Sequence, residues 1–326
     1  MKKNIAVGVL PGVLLTYLSV RGVSLADVVA QLKGAKRAYL LLSVVAMFAM
    51  QILRSLRWGL LLRPLERIPP LALFGVNNVG FLAIVSLPAR LGELVRPYLV
   101  SRISNVSMSA ALATIVMERL CDSFAIVVML ALVLLLMPLP PWLLQAGSGL
   151  LLATGTILTF MIVLVAAEDG ASQLVEAPLR WLHHGVAERA GRLARSFIAG
   201  LAIISNAREL LGVLLLTAVI WLADAGAIHT LFRAFGMPQG MTAALALMVV
   251  LVLAIAIPAA PGFVGNWHYA CILGLGLFGI ARAEVLTFAI VYHFLSMAII
   301  IALGLLYLPL NRFSLAELRA QWQRPR

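Results

Sequence analysis

The sequence predicts an all-α polytopic membrane protein with about 6–7 full spans and two re-entrant broken-helix hairpins arranged as an inverted repeat. Hydrophobic residues make up 63% of the 326 residues, and charged residues make up only 12%. The mean hydropathy is +1.04, which excludes an ordinary soluble domain. Long apolar runs recur along the chain, and two of them are interrupted by proline and glycine.

The apolar runs each approach the ~20 residues that cross the hydrocarbon core of a bilayer. They predict full spans at about 4–20, 38–60, 110–137, 143–166, 209–233 and 283–309. The first run follows Lys2 and Lys3 and also resembles a cleavable signal peptide, but an uncleaved span is favoured because multi-span proteins commonly begin with one. A short interfacial helix is predicted within 24–37, and the second span is predicted to end in a basic cluster formed by Arg54, Arg57, Arg63 and Arg67.

No polar stretch is long enough for a separate soluble domain, so residues 1–326 are expected to form a single integral membrane domain. We divide it into the N-terminal spans with the interfacial helix (1–67), the first hairpin and its following span (68–137), a span with a cytoplasmic amphipathic connection (138–208), the second hairpin repeat (209–310) and a basic tail (311–326).

The distribution of charge predicts how the chain is oriented. Lys and Arg number 25 against 13 Asp and Glu, and such an excess is typical of loops that stay on the cytoplasmic side of a bacterial inner membrane, so nucleic acid is not an expected partner. The rule places 167–208 and the tail inside, and it places the uncharged loops 138–142 and 236–240 outside. Segments 70–108 and 241–280 then enter from opposite faces. The basic loop 21–37 would lie outside, which the rule does not favour.

The connection 167–208 contains a predicted amphipathic helix. Apolar residues from Leu179 to Phe197 keep near-helical spacing, and four arginines enrich the polar side, namely Arg180, Arg189, Arg192 and Arg195. Such a helix is expected to lie on anionic lipid at the cytoplasmic surface. The two cysteines, Cys121 and Cys271, lie in apolar runs and are expected to be packing residues. No metal or cofactor site is predicted.

The two interrupted runs share a pattern. The first contains SLPARLGELV (86–95) and the second AIPAAPGFVG (256–265), and each has Pro-Ala-x-x-Gly followed by a resumed helix. Each is followed by a span with a polar cluster, at 117–122 and 291–296. Paired broken helices in inverted halves indicate a transporter site near the bilayer midplane. The predicted breaks are at Pro88, Gly92, Pro258, Pro261, Gly262 and Gly265.

The first break carries the charges Arg90, Glu93 and Arg96. A half-helix that starts near Glu93 would direct free N–H groups into a polar cavity, and the arginines would add full charges, so the combination suits a phosphate. Glu93 lies three residues from each arginine and is predicted to hold both. The alternative is a purely structural salt-bridge cluster that fixes the hairpin.

Further polar residues complete the predicted site. Glu118 and Asp122 share a helix face with Arg119 nearby, roughly 12 Å into the span, where charges should face the protein interior. In the second half Asn266 is predicted to cap the resumed helix, beside Trp267 and His268, with His293 in the last span. The predicted substrate-binding set is Arg90, Glu93, Arg96, Glu118, Arg119, Asp122, Asn266, His268 and His293.

Structural alternatives remain open for these residues. Glu118, Arg119 and Asp122 could satisfy one another as scaffold, and the two histidines could be neutral core residues bonded to carbonyl groups. Asp224 and His229, in the span at 209–233, are assigned to local polar packing.

At these residues the chain resembles the lysyl-phosphatidylglycerol synthase transmembrane-region family, which is also described as flippase-like. The resemblance is carried by NNVGFLAIVSLPARLGELVRPYLVSR (77–102), IVMERLCDSFAIV (115–127) and AIPAAPGFVGNWHYACILGLGLFG (256–279). It implies an inner-membrane protein that moves or presents lipid-linked substrates. The chain has His268 and His293 where the family has Glu and Arg, so the resemblance does not carry those two family residues over to this chain.

These observations lead to the hypothesis of a lipid translocator that moves a phospholipid or lipid-linked head group through a midplane polar cleft. The alternative is a non-transporting membrane scaffold for a lipid synthase or glycosyltransferase, and such an enzyme is a possible partner under either hypothesis. An enzymatic role is not expected, because the sequence has no Gly-rich phosphate loop, nucleophile elbow or HExxH motif.

Overall fold

The computed structural model describes residues 29–30, 33–87, 92–167, 184–257 and 260–309, and every regular element in these ranges is helical. Short 3₁₀ turns at 92–94, Ala202–Ser205 and Pro261–Phe263 accompany the α-helices. In chain order the helices are α1 (Arg37–Leu62), α2 (Pro70–Ser86), α3 (Val95–Ile103), α4 (Met108–Leu136), α5 (Pro141–Ala166), α6 (His184–Gly200), α7 (Ala207–Ala234), α8 (Met241–Ala256), α9 (Asn266–Gly276) and α10 (Arg282–Tyr307).

Five of these helices, α1, α4, α5, α7 and α10, are long and apolar enough to cross a membrane. They coincide with five of the six predicted full spans, and the predicted span at 4–20 lies outside the described residues. The all-α polytopic class is therefore confirmed. Large apolar side chains such as Leu135 (83% exposed) and Leu152 (72% exposed) cover the outside of the bundle, where hydrocarbon is their natural solvent.

Local sequence sets the beginnings of several helices. The hydroxyl of Ser107 accepts a hydrogen bond from the backbone N–H of Ala110 at the start of α4, and the side chain of Asn206 accepts one from Glu209 at the start of α7. Both satisfy N–H groups that have no partner within the helix. Proline occupies the first turn of α2 and of α5, where its missing N–H is harmless.

The helix is interrupted in both segments where the sequence predicts a break. After α2, Leu87 leaves the helix in an extended conformation (φ −100°, ψ 139°). After α8, Gly262 (φ 69°), Phe263 (φ 58°) and Gly265 (φ 90°) have left-handed backbones, which favour glycine. Pro261 starts the short turn there. The predicted break residues Pro88 and Pro258 lie outside the described residues.

The first break also depends on a glycine. A side chain at Gly92 would clash with the backbone of Ala83 and Ile84, one turn before the end of α2. Gly92 therefore allows the chain to fold back closely against the helix it has just left. As a consequence α3 packs against α2, and α9 packs in the same way against α8.

The same order of helices occurs twice. A long helix, two short helices and a second long helix have 26, 17, 9 and 29 residues in α1–α4. The corresponding lengths in α7–α10 are 28, 16, 11 and 26 residues. The packing is reciprocal, because α1 contacts α7, α2 contacts α10, and α8 contacts α4. Helices α5 and α6 connect the two sets.

Each set of four helices contributes its own apolar core. One core contains Trp58, Val76, Leu99 and Ile115, from α1–α4. The other contains Phe232, Val249, Cys271 and Phe288, mainly from α7–α10. Helices α1, α4 and α7 contribute residues to both cores.

The amphipathic helix predicted within 167–208 is present as α6, although residues 168–183 lie outside the described part of the chain. One side of α6 contacts the start of α4, where Ser109 Oγ donates a hydrogen bond to the carbonyl of Leu193 (2.9 Å). Arg189 and Arg192 are exposed, as is Leu193 (61%). The contact of this helix with anionic lipid stays a prediction.

A close approach between the two sets generates a testable prediction. Gly304 of α10 faces α2, and a side chain there would clash with Leu82 and lie 3.0 Å from the carbonyl oxygen of Asn78. We expect Gly304→Ala to reduce the free energy of unfolding by about 1–3 kcal/mol, the usual cost of overpacking. Thermal unfolding of the purified protein in detergent measures it.

Gly149→Ala is the matched control, because a side chain at Gly149 of α5 would have no neighbour within 4 Å. An exposed helical glycine replaced by alanine is expected to gain up to about 1 kcal/mol. Equal unfolding temperatures for the two variants would contradict the close packing of α2 against α10.

Candidate functional site

A cavity of about 310 Å³ lies between the two sets of helices. Its wall includes residues of α1, α2, α4, α7, α8 and α10, together with Glu93 beside the first break and Phe263 in the second. The wall is apolar over most of its area, and the charged residues that line it are Arg54, Arg57, Glu93, Glu118, Arg119, Asp122 and Asp224. Because the cavity lies among membrane-spanning helices, these charges must find partners in the protein or in a bound polar group.

Arg96 of α3 and Glu118 of α4 form a buried bidentate ion pair. The two terminal nitrogens of Arg96 donate to the two carboxylate oxygens of Glu118 at 3.0 and 2.9 Å, and both side chains are at most 2% exposed. The guanidinium lies 4.3 Å from the centre of the Trp58 ring, a cation–π contact that stabilises a desolvated arginine. The pair is therefore internally neutralised.

Gly80 makes this arrangement possible. A side chain at Gly80 of α2 would clash with the aliphatic stem of Arg96, so the arginine crosses α2 where a side chain is missing. The Trp58 ring is held from its other edge by a hydrogen bond from its Nε1 to Thr114 Oγ1 (3.1 Å). The position of Arg96 is consequently fixed by α1, α2 and α4 together.

Arg57 of α1 and Asp122 of α4 form a second buried pair, one helical turn from the first. Arg57 donates to both oxygens of Asp122, at 2.6 and 3.3 Å, and also to Thr217 Oγ1 of α7 (3.1 Å). Trp221 of α7 donates to the same carboxylate at 3.1 Å. This network therefore joins three long helices, α1, α4 and α7.

Arg119 bridges the two pairs. It contacts Glu118, and its other terminal nitrogen lies 3.7 Å from Asp122. Its side chain is 42% exposed and lines the cavity. Arg119 thus combines fixed carboxylate partners with access to the cavity, which a group that binds a ligand anion requires.

Arg54 and Asp224 also line the cavity, on α1 and α7. Arg54 donates to Gln51 Oε1 (3.2 Å), and no carboxylate oxygen of the described residues lies within 4 Å of it. Asp224 accepts a hydrogen bond from the hydroxyl of Tyr292 (3.1 Å) and has no Lys, Arg or His nitrogen of the described chain within 4 Å. The cavity therefore presents one cation and one carboxylate that attract each other but have no ion-pair partner within 4 Å among the described residues.

The second break is held by His293. Its Nε2 donates to the carbonyl of Gly262 (2.7 Å), and the ring of His268 packs edge-on against it at 5.0 Å between centroids. Trp267 lies 4.9 Å from Tyr292, and its Nε1 has no hydrogen-bond partner among the described residues. The structure brings the two histidines together, but only Trp267 and Tyr292 of these four aromatic residues line the cavity.

Several sequence-based expectations are corrected by the geometry. The carboxylate that accepts from Arg96 is Glu118, not Glu93. Asn266 does not cap α9, because Gly265 is the N-cap residue and the Asn266 amide instead donates to the carbonyls of Ala254 (3.0 Å) and Ile257 (3.5 Å). Neither Arg96 nor Asn266 lines the cavity. Arg90 lies outside the described residues.

Two residues of the cavity wall, Arg57 and Asp224, are not among the predicted site residues, and Asp224 was assigned to local packing. Arg57 belongs not to a basic loop cluster but to the buried network, with 2% of its side chain exposed. The signal was available, since Gln51, Arg54 and Arg57 recur every three residues inside an apolar span and therefore share one helix face. All three line the cavity.

These features define a polytopic membrane protein with a charged cavity enclosed by its spanning helices. The chain belongs to the lysylphosphatidylglycerol synthase TM region family, which it matches over residues 5–304. It is also similar to a "UPF0104 membrane protein" of Methanothermobacter thermautotrophicus, with 23% identity over an alignment that covers 97% of this chain and 98% of that protein. No solved structure matches the chain.

The buried network predicts a strong dependence on Arg57. Arg57→Met leaves Asp122 without its closest cation, and removing one partner of a buried ion pair costs about 3–5 kcal/mol. We expect the double variant Arg57→Met/Asp122→Asn to recover at least about 1 kcal/mol of that loss, since it leaves no uncompensated charge. Thermal unfolding of the four proteins of this double-mutant cycle measures the coupling.

Arg192→Met is the matched control for Arg57→Met, because it makes the same substitution at an exposed position. Arg192 is 61% exposed and lies 3.8 Å from Glu188, an exposed pair that is worth at most ~1 kcal/mol. Two outcomes would contradict a stabilising role for this network: an equal loss of stability in the Arg57 and Arg192 variants, or no recovery of stability in the double variant.

Proposed function

We propose that the protein is a lipid translocator of the bacterial inner membrane, which moves a phospholipid or lipid-linked head group through the cavity while the acyl chains stay in the bilayer. The observation that carries the proposal is the position of the cavity. It contains charged side chains, it lies among helices long and apolar enough to span a membrane, and both helix breaks reach its wall. Backbone that is not helical at such a depth is tolerated where it lines protein or a water-filled cavity.

The two cavity charges without an ion-pair partner within 4 Å, Arg54 and Asp224, indicate which kind of head group the cavity would bind. Arg54 and the half-exposed Arg119 can donate to a phosphate, since arginine recognises phosphate through paired N–H groups. Asp224, beside the Trp267 and Tyr292 rings, can receive a cationic group, which carboxylates and aromatic faces attract in a desolvated site. The unpartnered Trp267 Nε1 adds a donor for an oxygen of the head group. A zwitterionic head group fits both poles.

The remaining charged residues have a positioning role in this proposal. Glu118 and Asp122 hold Arg119 at the cavity wall, and they are themselves neutralised by Arg96 and Arg57. Glu93, which lines the cavity close to the first break, adds a negative charge near Arg119. The predicted pair of His268 and His293 acts indirectly, by fixing the second break against α10.

We further propose that α2–α3 and α8–α9 are re-entrant hairpins that enter from opposite faces, so that the two sets of helices are inverted repeats. The equal order of helix lengths and the reciprocal packing of α2 on α10 and α8 on α4 support this. A cavity between two inverted repeats can open alternately to either side by rocking of one repeat against the other. The protein would then need no catalytic residue.

Reconstitution into vesicles tests the proposal. We expect the wild-type protein to exchange fluorescently labelled phospholipids between leaflets faster than empty vesicles do. Arg54→Gln and Asp224→Asn should each slow the exchange at least about tenfold, because a hydrogen bond to a charged group contributes roughly 1.5–3 kcal/mol. The exchange rate is measured as the loss of fluorescence after a membrane-impermeant quencher is added, because the quencher reaches only labelled lipid in the outer leaflet.

The dependence of the exchange rate on the lipid head group distinguishes the role of Arg54 from that of Asp224. Asp224→Asn should slow phosphatidylethanolamine more than phosphatidylglycerol, whereas Arg54→Gln should slow both, since both carry the phosphate. Arg233→Gln and Glu188→Gln change the same charges at exposed positions and should leave the rates unchanged. Wild-type rates equal to those of empty vesicles would reject the translocator and favour a membrane scaffold for a lipid-modifying enzyme.

A further inference from the structure

A second concave site lies on the other side of α1, away from the charged cavity. It is a groove of about 260 Å³ between the C-terminal half of α1 and the start of α2. Its apolar floor is formed by Leu56, Leu60, Ile68 and Leu73. Gly59 lies in this floor, and a side chain there would come within 3.3 Å of Leu73. The groove therefore exists partly because residue 59 has no side chain.

One end of the groove is strongly basic. Arg63 and Arg67 both line it, and both are exposed. Arg63 has one acidic neighbour, Glu209, whose carboxylate lies 3.4 Å from its Nε. No carboxylate oxygen of the described residues lies within 4 Å of Arg67. The N-terminus of α2, at Pro70, is on the same rim and adds the positive end of a helix dipole.

We propose that this groove binds one anionic phospholipid, with its phosphate between Arg63 and Arg67 and an acyl chain along the apolar floor. Charge complementarity selects the occupant. Basic pockets between helices at the membrane surface bind acidic lipid head groups, and an apolar floor that continues from the arginines along α1 matches the adjoining hydrocarbon chain. The site is distinct from the charged cavity, because no residue in the described part of the chain lines both.

A lipid bound in the groove would affect the packing of α1, because the groove and the charged cavity lie on different faces of this helix. Residues 51, 54 and 57 of α1 face the cavity, whereas residues 55, 56, 59 and 60 face the groove. Arg63 also contacts Glu209 at the start of α7. An anionic lipid bound there would therefore hold α1 against α2, on the opposite side of α1 from the buried ion pairs.

The test is lipid binding to the full-length purified protein, measured by native mass spectrometry and by thermal stabilisation. We expect phosphatidylglycerol to stay bound and to raise the unfolding temperature, and phosphatidylcholine to do so more weakly. Arg63→Ala/Arg67→Ala should weaken phosphatidylglycerol binding roughly thirtyfold, because each basic residue near an anionic lipid contributes about 1 kcal/mol.

Two further variants make the result specific. Arg233→Ala/Arg282→Ala removes the same charge at exposed positions at the end of α7 and the start of α10, and it should leave binding unchanged. Gly59→Leu fills the floor without changing charge, and it should weaken both phospholipids while the unfolding temperature without added lipid stays near that of the wild type.

Equal binding of phosphatidylglycerol and phosphatidylcholine would overturn the proposal and indicate ordinary boundary lipid. Unchanged phosphatidylglycerol binding in the Arg63→Ala/Arg67→Ala variant would also overturn it. Glycerol 3-phosphate without acyl chains should give no stabilisation, and stabilisation by it would identify a soluble phosphate ligand instead of a lipid. None of these outcomes depends on whether the protein translocates lipid.

Discussion

The structure depends on the pairing of two carboxylates on one turn of α4 with arginines from other helices. Glu118 and Asp122 project from this helix at a depth where neither could remain ionised alone, and each receives a bidentate arginine from another helix, Arg96 from α3 and Arg57 from α1. Because both guanidinium groups are almost fully buried, the helices that carry them cannot separate without exposing a charge to hydrocarbon. The same pairs thus fix the first break, through α3, and the wall of the cavity, through α1.

A buried ion pair is a costly way to hold helices together, since apolar side chains of similar volume often stabilise as well or better. The network contributes something that apolar packing cannot. It holds Arg119, 42% exposed, beside two carboxylates that already have partners, so this cation is oriented but still accessible from the cavity. Elsewhere in the wall Tyr292 orients Asp224 through one hydrogen bond. Fixed polar groups around a cavity of limited size are the usual basis of selective ligand binding.

The sequence predicted the spans and the two breaks because these depend on local properties, namely run length, apolar content and the conformational limits of proline and glycine. It did not predict the partners of the charges. Glu93 lies three residues from Arg96 and was the predicted partner, but Glu93 lies in a short turn before α3 begins at Val95. The carboxylate that accepts from the Arg96 guanidinium is that of Glu118, 22 residues further along the chain. Arg57 was not predicted as a site residue because its burial depends on the packing of other helices against α1. A basic residue near the end of a span resembles a loop residue, and only the helical spacing of Gln51, Arg54 and Arg57 separates the two cases.

The second set of helices stabilises its break with side chains that differ from those at the first break. At the second break this chain has His268 and His293 in edge-on contact. His293 donates to the carbonyl of Gly262, and so satisfies a backbone group that the broken helix leaves without a partner. Neither His293 nor Gly262 lines the cavity, so this hydrogen bond closes the backbone at the break and is not directed at a bound group. The polar side chains of this half that line the cavity include Asp224 of α7, Trp267 of α9 and Tyr292 of α10. The two halves therefore share one packing scheme, while the first concentrates its charge at the cavity and the second presents one carboxylate among aromatic rings.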